Sequence, residues 1–318
     1  MANITRRQLI RQSLLGAGAF VVARSLAASA SSQAQQRIEI SLAEWSLHRA
    51  LYAGKLDHLD FPAKAKKDFG ISAVEYVNGF FGGPKMDFKQ AGKNTAYLKE
   101  LLTRSQDAGV VNHLLMVDDE GPLATVDEKA RWAAVENHKK WVEAAKFLGC
   151  KTVRVNLQGA GSAAEKKKTA AVESLGRLGA FAEPMKINIV VENHGGVTSN
   201  GAWLADVVRK VALPNVGTLP DFGNFCISQP WGTTQEGCEN MYDRYKGVAE
   251  LLPFAQGVSA KSYDFDAQGE QPLMDYKRLI GLVKAAGYKG YIGIEFEGNT
   301  QPEEEGIRKT KALLEKYL

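Results

Sequence analysis

The sequence predicts a (β/α)8 barrel, the TIM barrel of the α/β class, in which a ring of eight parallel strands is wrapped by helices. Three observations lead there. Short apolar runs alternate with longer amphipathic segments from residue 38 to the end, the pattern of repeated βαβ units. Eight such runs fit a chain of 318 residues with none left over for a second domain. The Gly-x-Gly-x-x-Gly fingerprint of an open dinucleotide-binding sheet is absent after the first run.

In chain order the strand candidates are 38–46, 73–78, 112–117, 152–157, 187–193, 216–220, 257–262 and 291–296. Between them lie helical stretches such as 127–148. There Thr125 and Glu128 form a capping box, and Val135, Val142 and Ala145 recur at helical spacing. Glycine ends several helices just before the next strand, at Ala108-Gly109, Leu148-Gly149 and Ala286-Gly287. The barrel domain is expected to span 37–318.

Residues 1–36 read as an export signal and short linker. Thr5-Arg6-Arg7-Gln8-Leu9-Ile10-Arg11 precedes a modest apolar stretch, then small residues with an A-x-A site at Ala28-Ser29-Ala30. The segment resembles a twin-arginine (Tat) signal, which implies the Tat export machinery as partner and a periplasmic or secreted protein. The apolar run is too short and too rich in Gly and Ala for a stable membrane anchor. Arg6, Arg7, Arg11 and Arg24 are four of the 40 basic residues, so without this segment the chain carries 36 basic against 36 acidic residues. That balance argues against nucleic acid or an anionic membrane as partner. The three cysteines, Cys150, Cys226 and Cys238, include no CxxC pair. Buried thiols are expected, with a Cys226–Cys238 bridge as the alternative in an oxidising compartment.

Chemistry in such barrels sits at the C-terminal ends of the strands, and here those ends are polar. Strand alternation puts Arg154 and Asn156 on one face, as it does Glu192 with His194, Ser259 with Lys261 and Tyr263, and Glu295 with Glu297. The intervening Val153, Val155, Val191, Val258, Ala260, Ile294 and Phe296 would face the helices. Burying Glu192, Asp221 and Glu295 is costly unless something pairs with them. One divalent ion (Mn, Mg, Co or Zn) is the simplest partner; the alternative is salt bridges to Arg154 and Lys261. His194, His48, Arg154, Asn156 and Trp45 are substrate-binding candidates. Residues 118–120 read as a solvated loop, Glu297 as a rim residue and Glu75 as structural; His113 and His138 read as packing or surface residues.

The segments Ser41-Leu42-Ala43-Glu44-Trp45-Ser46-Leu47-His48, Val74-Glu75-Tyr76-Val77-Asn78, Val190-Val191-Glu192-Asn193-His194-Gly195-Gly196, Leu219-Pro220-Asp221-Phe222-Gly223-Asn224-Phe225 and Ser259-Ala260-Lys261-Ser262-Tyr263-Asp264-Phe265 occur in this order. Together they resemble the xylose-isomerase-like sugar phosphate isomerase/epimerase superfamily. The resemblance implies a metal held by Glu192, Asp221 and Glu295, with Ser259 where the superfamily carries His or Gln on strand seven. It further implies proton abstraction beside a carbonyl, giving an enediolate, with Glu192 and Glu295 as base and acid. Lys261 is a catalytic candidate that would take over part of the ion's electrostatic role. The expected function is isomerisation or epimerisation of a small sugar or keto-sugar. A keto-glycoside lyase of the same fold and a non-catalytic periplasmic sugar-binding protein are the alternatives. An abasic-site endonuclease is disfavoured by five His in the whole chain and Asn224 beside Asp221. A homo-oligomer is left open.

Overall fold

The computed structural model describes residues 38–159, 163–235 and 237–318. The export signal expected within 1–36 lies outside them. Eight strands form one sheet: β1 Ile38–Ala43, β2 Ala73–Val77, β3 Val111–Val117, β4 Thr152–Val155, β5 Asn188–Glu192, β6 Val216–Leu219, β7 Val258–Ser262 and β8 Gly290–Phe296. Their order is β6-β5-β4-β3-β2-β1-β8-β7, and every registered pair is parallel. Parallel bridges Thr218 to Ala255 and Asp221 to Ser259 join the two ends of the sheet. Ser259 N–H donates to Pro220 O at 2.9 Å, and Phe222 N–H to Ser259 O at 3.1 Å. The barrel therefore closes where the C-terminal end of β6 meets the start of β7.

One main helix follows each strand: α1 Phe61–Phe69, α2 Thr95–Asp107, α3 Glu128–Leu148, α4 Ala164–Ala182, α5 Gly201–Val211, α6 Arg244–Leu251, α7 Tyr276–Ala285 and α8 Glu303–Tyr317. The first seven each connect two successive parallel strands, as such strands require, and α8 follows the last strand. Among the described residues no helix is long and apolar enough to cross a membrane. The cap of α3 corrects the sequence reading. Asp127 is the N-cap, accepting from Ala130 N–H at 2.7 Å, whereas Thr125 Oγ1 accepts from Asp127 N–H at 3.4 Å. Thr125 therefore lies outside the helix, its carbonyl receiving Arg131 Nη1 at 3.0 Å.

Ala43, Val77, Phe80, Leu114, Met116, Val190 and Leu219 pack together as a buried apolar cluster, with Trp45 and Leu51 against it. Glu75 is also buried, taking a hydrogen bond from Ser41 Oγ at 2.6 Å. Gly293 on β8 makes room for it, since a Cβ there would lie 2.5 Å from Glu75 Oε1. Burial, with Glu295 nearby, pushes the Glu75 carboxyl up to about 7 from an ordinary 4.5. A raised pKa means folding disfavours the carboxylate, so stability is lost as pH rises through the folded value. Glu75→Gln should match the native protein near pH 4.5 in thermal melts. Above pH 8 it should be more stable by up to about 3 kcal/mol.

The cysteines differ from the buried-thiol expectation. Cys226 and Cys238 form a disulfide, their Cα atoms 5.7 Å apart, and only Cys150 is a buried free thiol. The reason is the β6–α6 segment, which doubles back: Cys226 N–H donates to Gly232 O at 2.9 Å, and Ile227 N–H to Asn240 O at 2.9 Å. Thiol titration of unreduced, denatured protein should find one reactive group per chain, rising to three after reduction.

Candidate active site at the barrel mouth

The end of β5 carries Glu192, the residues just after β6 carry Asp221, and β8 ends with Glu295. All three are buried, and one carboxylate oxygen from each lies within 4.8 Å of the others. Asp221 is held by its own turn: Oδ1 accepts from the N–H groups of Gly223 at 2.8 Å and Asn224 at 2.7 Å. Asn224 Nδ2 donates to Glu192 Oε1 at 3.0 Å. Ser259 Oγ donates to Asp221 Oδ2 at 2.6 Å and lies 3.1 Å from Glu295 Oε2. The serine thus ties two of the acids together.

Two cations border this group. Lys261 Nζ is 3.1 Å from both Glu295 Oε1 and Glu297 Oε2. Arg154 reaches Asp118 Oδ1 through Nη1 at 2.6 Å, and its Nε lies 3.0 Å from Glu192 Oε2. That last N–H is not aimed at the oxygen, so the contact is an ion pair, and Glu192 Oε2 is left without a hydrogen-bond donor. Glu297 is therefore more than a rim residue: it pairs with Lys261 and accepts a hydrogen bond from Trp45 Nε1. Asp118 and Glu120 also depart from the solvated-loop reading, while Asp119 between them is exposed as expected. Asp118 holds Arg154 and Asn156, while Glu120 is buried against Trp141 Nε1 at 2.7 Å and Lys140 Nζ at 2.6 Å. Asn78 holds the start of this turn, donating through Nδ2 to Asp118 O and accepting from Asp118 N–H at Oδ1, both at 2.9 Å.

The charge balance is unfavourable as it stands. Arg154 and Lys261 face Asp118, Glu192, Asp221, Glu295 and Glu297. Burial, then the neighbouring acids Glu295 and Asp221, push Glu192 well above the usual carboxylate range despite Arg154. Burial likewise takes Asp221 up to about 6, with Lys261 opposing. Burial would lower the Lys261 pKa, but Glu295, Glu297, Asp221 and Glu192 outweigh it and hold the ammonium well above its usual value. Burial also works against the Asp118 carboxylate, yet Arg154 and His194 keep its pKa below normal. His194 is pushed down to about 3 by burial beside Arg154 and Lys261, so its ring is neutral. A divalent cation fits this group: three oxygen ligands converge, Glu192 Oε2 lacks a donor, and excess negative charge would be relieved.

Above the acids opens a cavity of 470 Å³. Trp45, His48 and Tyr52 line one side and His194, Trp231 and Thr233 another, with Asp118, Arg154, Glu295 and Glu297 also on its walls. Trp45 stacks on His48 at 4.9 Å, and His48 Nδ1 bonds Trp45 O at 2.7 Å. Asn156 Oδ1 meets His194 Nδ1 at 2.9 Å. Trp231 lies 5.3 Å from the His194 ring. It is brought there by the disulfide-bonded segment and by Gly195 (φ 87°), where a Cβ would lie 2.0 Å from Pro230 O. All the site residues expected from the sequence come together around this mouth. Asp118, Asn224, Tyr52 and Trp231 were missed; for Asn224 the turn following Asp221 was the available signal, and for Trp231 there was none.

A closed parallel barrel whose mouth holds buried converging carboxylates defines the protein's class. Residues 63–317 match the family described as xylose isomerase-like TIM barrel, and the chain belongs to that family. Its fold is similar to that of a sugar phosphate isomerase/epimerase from Parabacteroides distasonis, at 16% identity and TM-score 0.63, over 87% of this chain and 93% of that one. It is similar as well to the 3-keto-D-glucoside 4-epimerase of E. coli, at 14% identity and TM-score 0.62, over 88% and 100% of the two chains. A third similar structure is a xylose isomerase-like TIM barrel protein from Mycobacterium smegmatis in complex with magnesium. That pair shares 15% identity with TM-score 0.62, over 87% and 96% of the two chains. Among curated proteins, the alpha subunit of a C-glycoside deglycosidase from Arthrobacter globiformis is 38% identical over 50 residues, 16% of this chain and 14% of that relative's length.

Proposed function

We propose that this protein is a metal-dependent isomerase or epimerase of a ketose or keto-sugar, working by proton transfer at the carbon beside a carbonyl. The observation that carries the reading is the buried convergence of Glu192, Asp221 and Glu295, the last of which lines the cavity. Family membership and the names of the structural neighbours support it. A divalent ion held by these three residues would polarise the carbonyl and hydroxyl oxygens of the sugar, and an all-oxygen ligand set suits Mg or Mn better than Zn or Co. Glu192 and Glu295 approach from β5 and β8, so one removes the proton and the other returns it. Lys261 remains an ammonium; it orients Glu295 and Glu297 and offers positive charge to an oxyanion. Arg154 orients Glu192, while His194, His48 and Trp45 contact the substrate and Asn156, expected to do so, supports His194 instead.

We also read the protein as exported by the Tat route to the periplasm or beyond. The Cys226–Cys238 disulfide supports an oxidising compartment.

The test is proton exchange. Magnesium- or manganese-loaded protein is incubated in D2O with D-psicose, D-fructose and a 3-keto-glucoside. Deuterium should enter the carbon beside the carbonyl of at least one, with the epimer or isomer following, and Glu192→Gln and Glu295→Gln should lower the rate by about 10²–10⁴-fold. No exchange and no product with any of them would overturn the reading. The match to the deglycosidase subunit, with Trp45, Tyr52 and Trp231 around a roomy cavity, favours a second reading: a keto-glycoside lyase. In that case the same exchange is accompanied by release of the aglycone.

A further inference from the structure

We propose that Asp118 and Asn156 are positioning residues that lock His194 in its Nδ1–H tautomer, so that Nε2 presents a lone pair to the cavity and recognises a hydroxyl donor. Only the identity of the recognised group rests on the sugar reading above.

The argument runs along a chain of hydrogen bonds. Asp118 Oδ1 sits between two donors, Arg154 Nη1 and Asn156 Nδ2, each at 2.6 Å. A carboxylate beside a guanidinium has only lone pairs to offer, so Asn156 must turn its NH2 toward it. The amide is planar, and its oxygen consequently faces the other way. That oxygen lies 2.9 Å from His194 Nδ1. An amide oxygen can only accept, so Nδ1 carries the hydrogen, and in a neutral ring Nε2 is then unprotonated. The main chain around the ring is held as well, since His194 N–H donates to Thr198 Oγ1 at 2.9 Å.

Nε2 has no partner among the described residues, and His194 lines both the main cavity and a second one of 460 Å³. It lies outside the group of converging metal-ligand atoms, which consists of Glu192, Asp221 and Glu295. An unprotonated ring nitrogen in such a wall accepts from a hydroxyl and repels a carbonyl oxygen. The carbonyl of a bound keto-sugar would accordingly sit toward the Lys261 ammonium and the proposed ion, and a hydroxyl toward His194. The three-residue relay thereby discriminates between orientations of a substrate that has both groups. It also explains an Asp–Arg–Asn arrangement at the C-terminal ends of β3 and β4 that neither holds the proposed ion nor caps a helix.

Two-bond 1H–15N spectra of histidine-labelled, magnesium-supplemented full-length protein read the tautomer directly, and the chain has five His to assign. His194, identified by loss of its signals in His194→Gln, should show the Nδ1–H form at pH 7.5. Asn156→Leu removes the acceptor and should lower the ratio of Nδ1–H to Nε2–H by at least about fivefold, the equivalent of one hydrogen bond. Asp118→Leu frees the amide to turn over and should shift the ratio in the same direction. A native His194 found as Nε2–H or as imidazolium would overturn the proposal, as would a ratio unmoved by both variants. The native spectrum decides even if a variant fails to fold. No substrate is needed, so failure here is distinguishable from failure of the keto-sugar reading.

Discussion

Glu192→Gln, Asp221→Asn and Glu295→Gln proteins will each retain far less divalent metal than the native chain after the same purification. Each change removes one of three oxygen ligands, a larger loss than the about 10–100-fold in affinity that follows removal of a residue merely supporting a ligand. Metal analysis of desalted protein reads the effect. The pH dependence has a definite sign. Ligating carboxylates must be ionised, and Asp221 and Glu192 both have raised pKa values in the fold, Asp221 at about 6. Metal affinity should therefore climb as pH rises through 6 and fall below it. Without metal the order of stability reverses. A folded pKa above the unfolded one means stability lost with rising pH, so with EDTA at pH 8, Glu192→Gln should melt above the native protein. Retention of full metal content in all three variants would rule out this site.

The second large effect is expected at Arg154. Its side chain is 4% exposed and spans Asp118 and Glu192. Arg154→Met keeps much of the apolar volume but leaves both acids without their cation. Breaking a buried pair in this way costs about 3–5 kcal/mol, which in a domain of this size lowers the Tm by roughly 10 °C. Calorimetry at pH 8 checks it, and the loss should shrink as pH falls, because a protonated Glu192 does not need the cation. A fall of less than about 2 °C would mean that Arg154 contributes little net stability, as is usual for exposed pairs.

These effects concern residues of very different visibility in the sequence. Glu192, Asp221 and Glu295 could be singled out because each ends an apolar run, and a charge at the end of a buried strand is conspicuous without a partner in view. Lys261 and Ser259 stood out by alternation on the seventh run. Asp118 did not: an acid followed by two more reads as solvent-exposed, and its partners Arg154 and Asn156 lie 36 and 38 residues away on another strand. Trp231 was equally silent, since nothing local distinguishes a tryptophan in a long connection from any exposed aromatic.

The sequence by itself determined the eight strand–helix units, their order and the polar ends of the strands, because apolar periodicity and glycine stops are local properties that the backbone obeys wherever the segment lies. It also determined which carboxylates would be expensive to bury. The tertiary structure alone decided which cation meets which acid, that Ser259 bridges Asp221 and Glu295, that Cys226 reaches Cys238, and that Trp231 closes one side of the cavity. Apart from the disulfide, whose cysteines are 12 residues apart in one connection, those outcomes depend on contacts between distant chain segments, whose distances are set by the closing of the barrel and not by any pattern within a segment.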